Sequence, residues 1–245
     1  MKAYFFVEGA QTEKQLYHAW LSYCFPHLAE VKQPVDLTAD TYILVSGKGY
    51  PAYLDRIPLS LEDAARAGVD HLFICIDAEE MSYEERRAEV HAAVNAATAT
   101  LLARGILYSG QTHVVVATCC IESWLLGHRK LVPRRPPSKT LAEFKQFHDV
   151  VSEDPEQMSC PPGYLTKASF HLAYLKEVFR HHGKAYSKTR PGMATEANYL
   201  AALRDRCLDT SSPVPHLASF RVLWDVWSAM GARTQVEKPL AEAGH

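Results

Sequence analysis

Four short runs along the first half of the chain are apolar at nearly every position: AYFFV (3–7), TYILV (41–45), HLFICI (71–76) and HVVVAT (113–118). They are rich in β-branched and aromatic residues, and they do not alternate with polar positions. That is the signature of strands covered on both sheet faces. Between them the apolar positions recur at helical spacing. Thr12 stands where an N-cap belongs for a helix from Glu13 to about Cys24, with Leu16, Ala19, Trp20 and Tyr23 on one face. The segment from Tyr50 to Ala67 reads as helix, with a kink or restart at Pro58 and a stop at Gly68. Ser82 is placed to cap a long helix to Arg104, ended by Gly105, and IESWLLGH makes a short helix after the fourth strand.

Strand and helix alternating at this spacing predict an α/β fold, with a parallel sheet of about four strands and helices on both faces. Right-handed crossovers then bring all strand C-termini to one edge. The rhythm changes near residue 130. PRRPPSK and CPPG are proline-rich punctuation, and the rest reads as helices at about 138–147, 166–182, 195–208 and 216–230. The chain therefore divides into a sheet domain, 1–130, and a helical C-terminal extension, 131–245, packed on it. The tail from Arg233 is polar and is expected to fray.

Composition narrows the function classes. Of 245 residues, 47% are hydrophobic and 22% charged, which is ordinary for a globular protein. The longest apolar runs, such as VVVATCCI, are far too short to span a bilayer, and no secretory pattern opens the chain. The expectation is a cytoplasmic protein without a membrane partner. Its six cysteines contain no C-x-x-C pair and are expected to be free. Cys75 and Cys119 are read as strand residues. Adjacent Cys119 and Cys120 would then point to opposite faces and form no zinc site. The net charge of −2 argues against coating nucleic acid by charge alone. A local basic patch in LVPRRPPSK and HHGKAYSKTR remains compatible with an enzyme acting on phosphates.

The candidate chemistry lies at the strand ends. Glu8 follows the first run, and Asp77 and Glu79 follow the third. Carboxylates released at the C-terminal ends of parallel strands suit a hard divalent cation, and such a site suits phosphodiester chemistry. Asp77 and Glu79 are two apart, so extended backbone would aim both at one face, leaving Glu80 the weaker ligand. Ser46-Gly47-Lys48-Gly49 closes the second strand. It offers glycine N–H groups and a lysine to a phosphate, or is a plain turn. Glu122 opens the short helix, either as a further ligand or as an acid favoured at a helix N-terminus. Lys184 and Lys188 are candidates to reach the site. His181 and His182 read as helix-end residues, and Arg134 and Arg135 as a loop contacting a nucleic-acid backbone.

VEGAQTEKQLY, IDAEE and CIESWLLGH together resemble the TOPRIM proteins, and more narrowly the small TOPRIM-like proteins related to OLD-type and RloB-type nucleases. The resemblance covers residues 3–128 and, more loosely, the helical remainder. It implies a TOPRIM-like sheet and a nuclease dependent on Mg²⁺ or Mn²⁺, with a role in prokaryotic defence against phage. Glu8 would be a metal ligand or general base, Asp77 and Glu79 metal ligands, and Glu122 a further acid. Glu79 departs from the aspartate usual in the DxD motif. The chain has no P-loop, so any ATPase would be a separate partner. Nucleic acid is the expected substrate, DNA or RNA, and a homo-oligomer is left open. Two other readings stand beside this one. The first is a non-catalytic regulatory partner of an ATPase that keeps the scaffold. The second, ranked lower, is another TOPRIM chemistry such as primer synthesis or strand passage.

Overall fold

A computed structural model describes residues 1–233. The fold is α/β. Five parallel strands, β1 (Lys2–Val7), β2 (Ala29–Val31), β3 (Thr41–Ser46), β4 (His71–Asp77) and β5 (Gln111–Ala117), lie in the order β2-β3-β1-β4-β5. The four apolar runs are four of these strands. The fifth, β2, has only the residues AEV, is partly exposed at the sheet edge and carries no apolar run that would announce it.

Alternate side chains of the central strands feed two cores. Phe5, Phe73, Cys75 and Val115 face α1 (Thr12–Cys24) and the C-terminal helices. Tyr4, Phe6, Ile74, Ile76 and Val116 face α2 (Ala52–Ala67) and α3 (Tyr83–Ala103). Because both faces are covered, continuous apolar runs are required, and period-2 alternation is not seen.

Local signals fix some of the helix ends. Ser82 and Glu85 form a complete capping box on α3, and Gly68 ends α2 in the left-handed conformation. Pro58 lies inside α2, which runs through it without a restart. Thr12 is not the N-cap of α1. It is the first residue inside the helix, and its hydroxyl donates to the Lys188 carbonyl (2.5 Å). The buried stripe of α1 is Leu16, Tyr17, Trp20, Leu21 and Cys24, while Tyr23 is exposed. The chain continues through α4 (Ile121–Leu125), α5 (Lys139–Phe147), α6 (Lys167–His181), α7 (Ala197–Leu208) and α8 (Ala218–Ala229).

These later helices share the α1-side core. Helix α8 packs on β5, α7 on α8, and α6 on α4. The fraying expected from Arg233 onward falls on residues 234–245, outside those described. Arg233 itself donates its N–H to the Cys24 carbonyl (2.9 Å). Among the described residues no helix is long and apolar enough to cross a membrane.

Candidate functional site

The strand order reverses at β1: β3 and then β2 lie on one side of it, β4 and then β5 on the other. At such a switch point the loops diverge and leave a crevice beyond the strand ends. Here that crevice is a cleft of about 260 Å³ lined by carboxylates of Glu8, Glu13, Asp77, Glu79 and Glu122, together with Lys188. A smaller pocket shares Glu8, Glu13, Asp77 and Ile121 with it and is lined further by Tyr17, Cys75 and Trp124.

Each carboxylate has its own anchor. Glu8 Oε2 accepts the Asp77 N–H (3.0 Å) and Oε1 the Tyr50 N–H (3.2 Å), which ties the ends of β1, β3 and β4 together. Glu13, in the first turn of α1, accepts the Gly9 N–H (3.1 Å). Glu122 is buried in α4 and accepts the Tyr186 hydroxyl (3.0 Å). Glu79 is held by its backbone: its N–H donates to the Cys119 carbonyl (2.7 Å). Lys188 enters from the loop after α6, which docks on α1 through Thr12 and through Gln15 Nε2, donating to the Thr189 carbonyl (3.1 Å).

The crowding raises proton affinities. Burial pushes Asp77 well above the usual carboxylate range, and Glu8, Glu13, Glu122 and Glu79 each add to it. Burial, then the charges of Glu122 and Glu8, raise Glu13. Burial and Glu8 raise Glu79. For Lys188 burial acts downward, but Glu122 and Asp77, followed by Cys120 and Glu13, outweigh it and hold the ammonium above its ordinary value. One lysine among five carboxylates leaves a net negative cleft. An all-oxygen, anionic donor set of this kind fits a hard divalent cation. The carboxylates surround the cleft without converging. Among the described residues no three of them present oxygens all within 4.8 Å of one another.

The structure thus brings Glu8, Asp77, Glu79, Glu122 and Lys188 together. It separates the other two candidates. Lys184 is exposed beyond the end of α6 and does not line the cleft. The Lys48 side chain is also exposed and outside the lining. The expectation that Ser46–Gly49 offers free N–H groups is corrected. Gly47 donates to the Val7 carbonyl, Gly49 to the Glu8 carbonyl and Lys48 to Ser46 Oγ. The loop splices β3 to β1 and keeps no N–H for a phosphate.

The reason given for pairing Asp77 with Glu79 also fails. β4 ends at Asp77, and Glu79 has φ +54°, so a left-handed kink, and not strand alternation, turns Glu79 into the cleft. Glu80 does lie elsewhere, accepting the Lys167 N–H at the start of α6 (2.8 Å).

Sequence reasoning missed Glu13 and Tyr186. Glu13 was visible as the last residue of VEGAQTE, one helical turn past Gly9. Tyr186 carries no local signal. Missed as well was a second cluster. Cys119, Cys120 and His171 are buried, with donor atoms all within 4.8 Å of one another. The strand premise behind the opposite expectation is wrong, since β5 stops at Ala117 and Cys119 has φ +64°. A hydrogen bond from Cys120 lowers the Cys119 thiol to about 5, with His171 adding to the effect, while the Cys120 thiol rises. Comparison with family models, with curated proteins and with solved structures gives no match.

Proposed function

We propose that the acidic cleft is the active site of a TOPRIM-like nuclease that cleaves nucleic-acid phosphodiester bonds with a divalent cation. The observation that carries this reading is the gathering of five carboxylates and one lysine at the switch point of a parallel sheet. Asp77, Glu79 and Glu8, with Glu122 behind them, would hold Mg²⁺ or Mn²⁺. Such an ion supplies Lewis-acid stabilisation of the charge that develops on a phosphodiester.

The chain's own groups divide the remaining work. Glu8 is fixed through both oxygens, so it serves to position and is poorly placed to shuttle a proton. Glu13 spends one oxygen on Gly9 and has a raised proton affinity, which suits it to take the proton of an attacking water at its other oxygen, Oε2. Lys188 stays charged and is set to bind a non-bridging phosphate oxygen or the leaving oxygen. Lys184 and Arg190 are exposed in the same segment as Lys188. The Pro133–Arg135 loop, which carries Arg134 and Arg135, is braced by Lys145 Nζ on the Pro133 carbonyl (3.0 Å). These cations would track the nucleic-acid backbone. A place in prokaryotic defence, beside a separate ATPase, rests on the resemblance of VEGAQTE, IDAEE and CIESWLLGH to that group of proteins.

One observation favours a second reading. Glu8 bridges Tyr50 and Asp77 as a structural staple would, which suits a non-catalytic partner that retains the scaffold. Calorimetry with Mg²⁺ and Mn²⁺, paired with cleavage assays on plasmid DNA and total RNA, separates the two. The nuclease reading expects divalent binding and cleavage, both lost in Asp77→Asn while the far-ultraviolet circular dichroism stays unchanged. A folded protein that binds no divalent cation, or Asp77→Asn cleaving like the parent, would overturn it.

A further inference from the structure

We infer that Cys119, Cys120 and His171 form a binding site for a thiophilic metal ion, Zn²⁺ by its chemistry, immediately behind the acidic cleft. Three potential ligands from two distant segments, 119–120 and α6, bring donor atoms within 4.8 Å of one another, and all three residues are buried. Tetrahedral zinc, with metal–sulfur distances of about 2.3 Å and metal–nitrogen distances of about 2.0 Å, needs ligand atoms about 3.5–4 Å apart. The cluster would need only small side-chain adjustments to reach that.

Two features go beyond proximity. Neighbouring cysteines on a strand point apart, but the left-handed turn at Cys119 (φ +64°) followed by extended Cys120 (φ −154°) swings both thiols to one side. That conformation is uncommon for a non-glycine residue, and it is what brings the two thiols together. The imidazole is also prepared. His171 Nε2 lies 3.1 Å from the Met158 carbonyl, which can only accept, so in the neutral imidazole that a metal requires the proton sits on Nε2 and the lone pair on Nδ1. A second ring nitrogen tied to a backbone carbonyl is the usual support of a metal-binding histidine. Nδ1 now faces the Ser123 hydroxyl (2.7 Å), which can turn instead to Cys120 Sγ, 3.7 Å away.

Sulfur and imidazole donors select zinc over the hard cations that suit the carboxylate cleft. The fourth position falls to a water or a small anion from the separate cavity, about 610 Å³, that Cys119 and Glu79 line together. The site would also stiffen the acidic edge. Cys119 holds the Glu79 N–H through its carbonyl, and Cys120 stands at the N-terminus of the helix that carries Glu122.

The test uses the full chain, stripped of metal and kept reduced with a phosphine, in excess Mg²⁺ so that the carboxylates are already engaged. Zn²⁺ is titrated against a chromophoric chelator, and Co²⁺ is added separately to read the near-ultraviolet thiolate-to-cobalt charge-transfer band. The wild type is expected to bind zinc stoichiometrically and show the band. Cys119→Ser and His171→Gln should each weaken zinc by more than about a hundredfold, whereas Asp77→Asn should bind it as the parent does. Failure of the folded wild type to bind Zn²⁺, absence of the charge-transfer band, or unchanged affinity in Cys119→Ser would overturn the site. So would a Cys119–Cys120 disulfide that forms while the reduced protein takes no metal. The cobalt band is read on the wild type, so it decides the matter even if a variant fails to fold.

Discussion

At the scale of single residues, the cleft depends on one absence. The Glu13 carboxylate lies directly over Gly9, and a Cβ added there would run into it. Gly9 itself has no positive φ, so alanine meets no backbone strain, and the flexible end of Glu13 must move instead. Gly9→Ala is therefore expected to leave stability within about 1 kcal/mol of the parent. Divalent-dependent cleavage should fall by at least about tenfold, the equivalent of 1.4 kcal/mol in positioning. Thermal melts and cleavage assays on the same sample check both halves, and unchanged cleavage would remove Glu13 from the site.

The same residues show what the sequence made legible. Glu8 and Asp77 could be read because each directly follows a buried run, and topology does the rest. Glu79 reached the right cleft for the wrong reason, since its direction is set by a kink that no period-2 pattern encodes. Cys119 was misread because apolar continuity through HVVVATCC hides the point where the strand stops. Tyr186 and His171 join their sites only through tertiary packing, and no short-range pattern carries that.

Among the elements, the N-terminus of α8 is held by an unusual cap. Residue 217, just before it, has φ +54°, and the first turn is satisfied from a distance. The Glu156 carboxylate accepts the Ser219 N–H (3.0 Å) and the Phe220 N–H (3.4 Å). Ser219 Oγ in turn receives the Trp124 indole N–H (2.7 Å) and the Thr118 N–H (3.1 Å), so the cap links α8 to α4 and the end of β5. Burial outweighs these donors and raises Glu156 to about 7. The sign follows from linkage. With a folded value above the ordinary 4.5, the native state holds the proton longer than the unfolded chain does. Its contribution to stability is full below about pH 4.5 and is lost as pH rises toward 7, by an amount of the order of 3 kcal/mol. Glu156→Gln keeps an acceptor and removes the titration. The stability gap between parent and variant, from urea melts, should therefore move in favour of the variant between pH 5 and pH 8. A gap independent of pH would show that Glu156 is already ionised when buried.

For the molecule as a whole, the question is whether the helical part is an appendage or part of the same cooperative unit. Phe5 of β1 stacks on Phe73 of β4 with ring centroids 4.3 Å apart, and Trp227 of α8 meets Phe5 edge-on at 6.3 Å. Trp227 also meets Tyr17 of α1 and Phe25 edge-on. Trp20 of α1 donates its indole N–H to the Ala194 carbonyl (3.0 Å), so α1 is gripped from both directions. One face of the sheet thus shares a single core between α1 and the helices of the last hundred residues. The cleft shares this dependence, because Lys188 comes from the helical part and the carboxylates from the sheet part. Trp227 is fully buried, and among the described residues its indole N–H has no hydrogen-bond partner, so its value lies in apolar packing. Trp227→Ala should cost about 3–5 kcal/mol, and Trp227→Phe distinctly less because the unpaired N–H goes with the lost volume. In both variants, urea unfolding followed by far-ultraviolet circular dichroism and by tryptophan fluorescence should give one coincident transition, shifted as a whole. A chain truncated after residue 130 should show no cooperative transition at all. Two separated transitions in the parent, or a stable truncated chain, would mean that the sheet part folds alone and that its acidic edge is built without the helices.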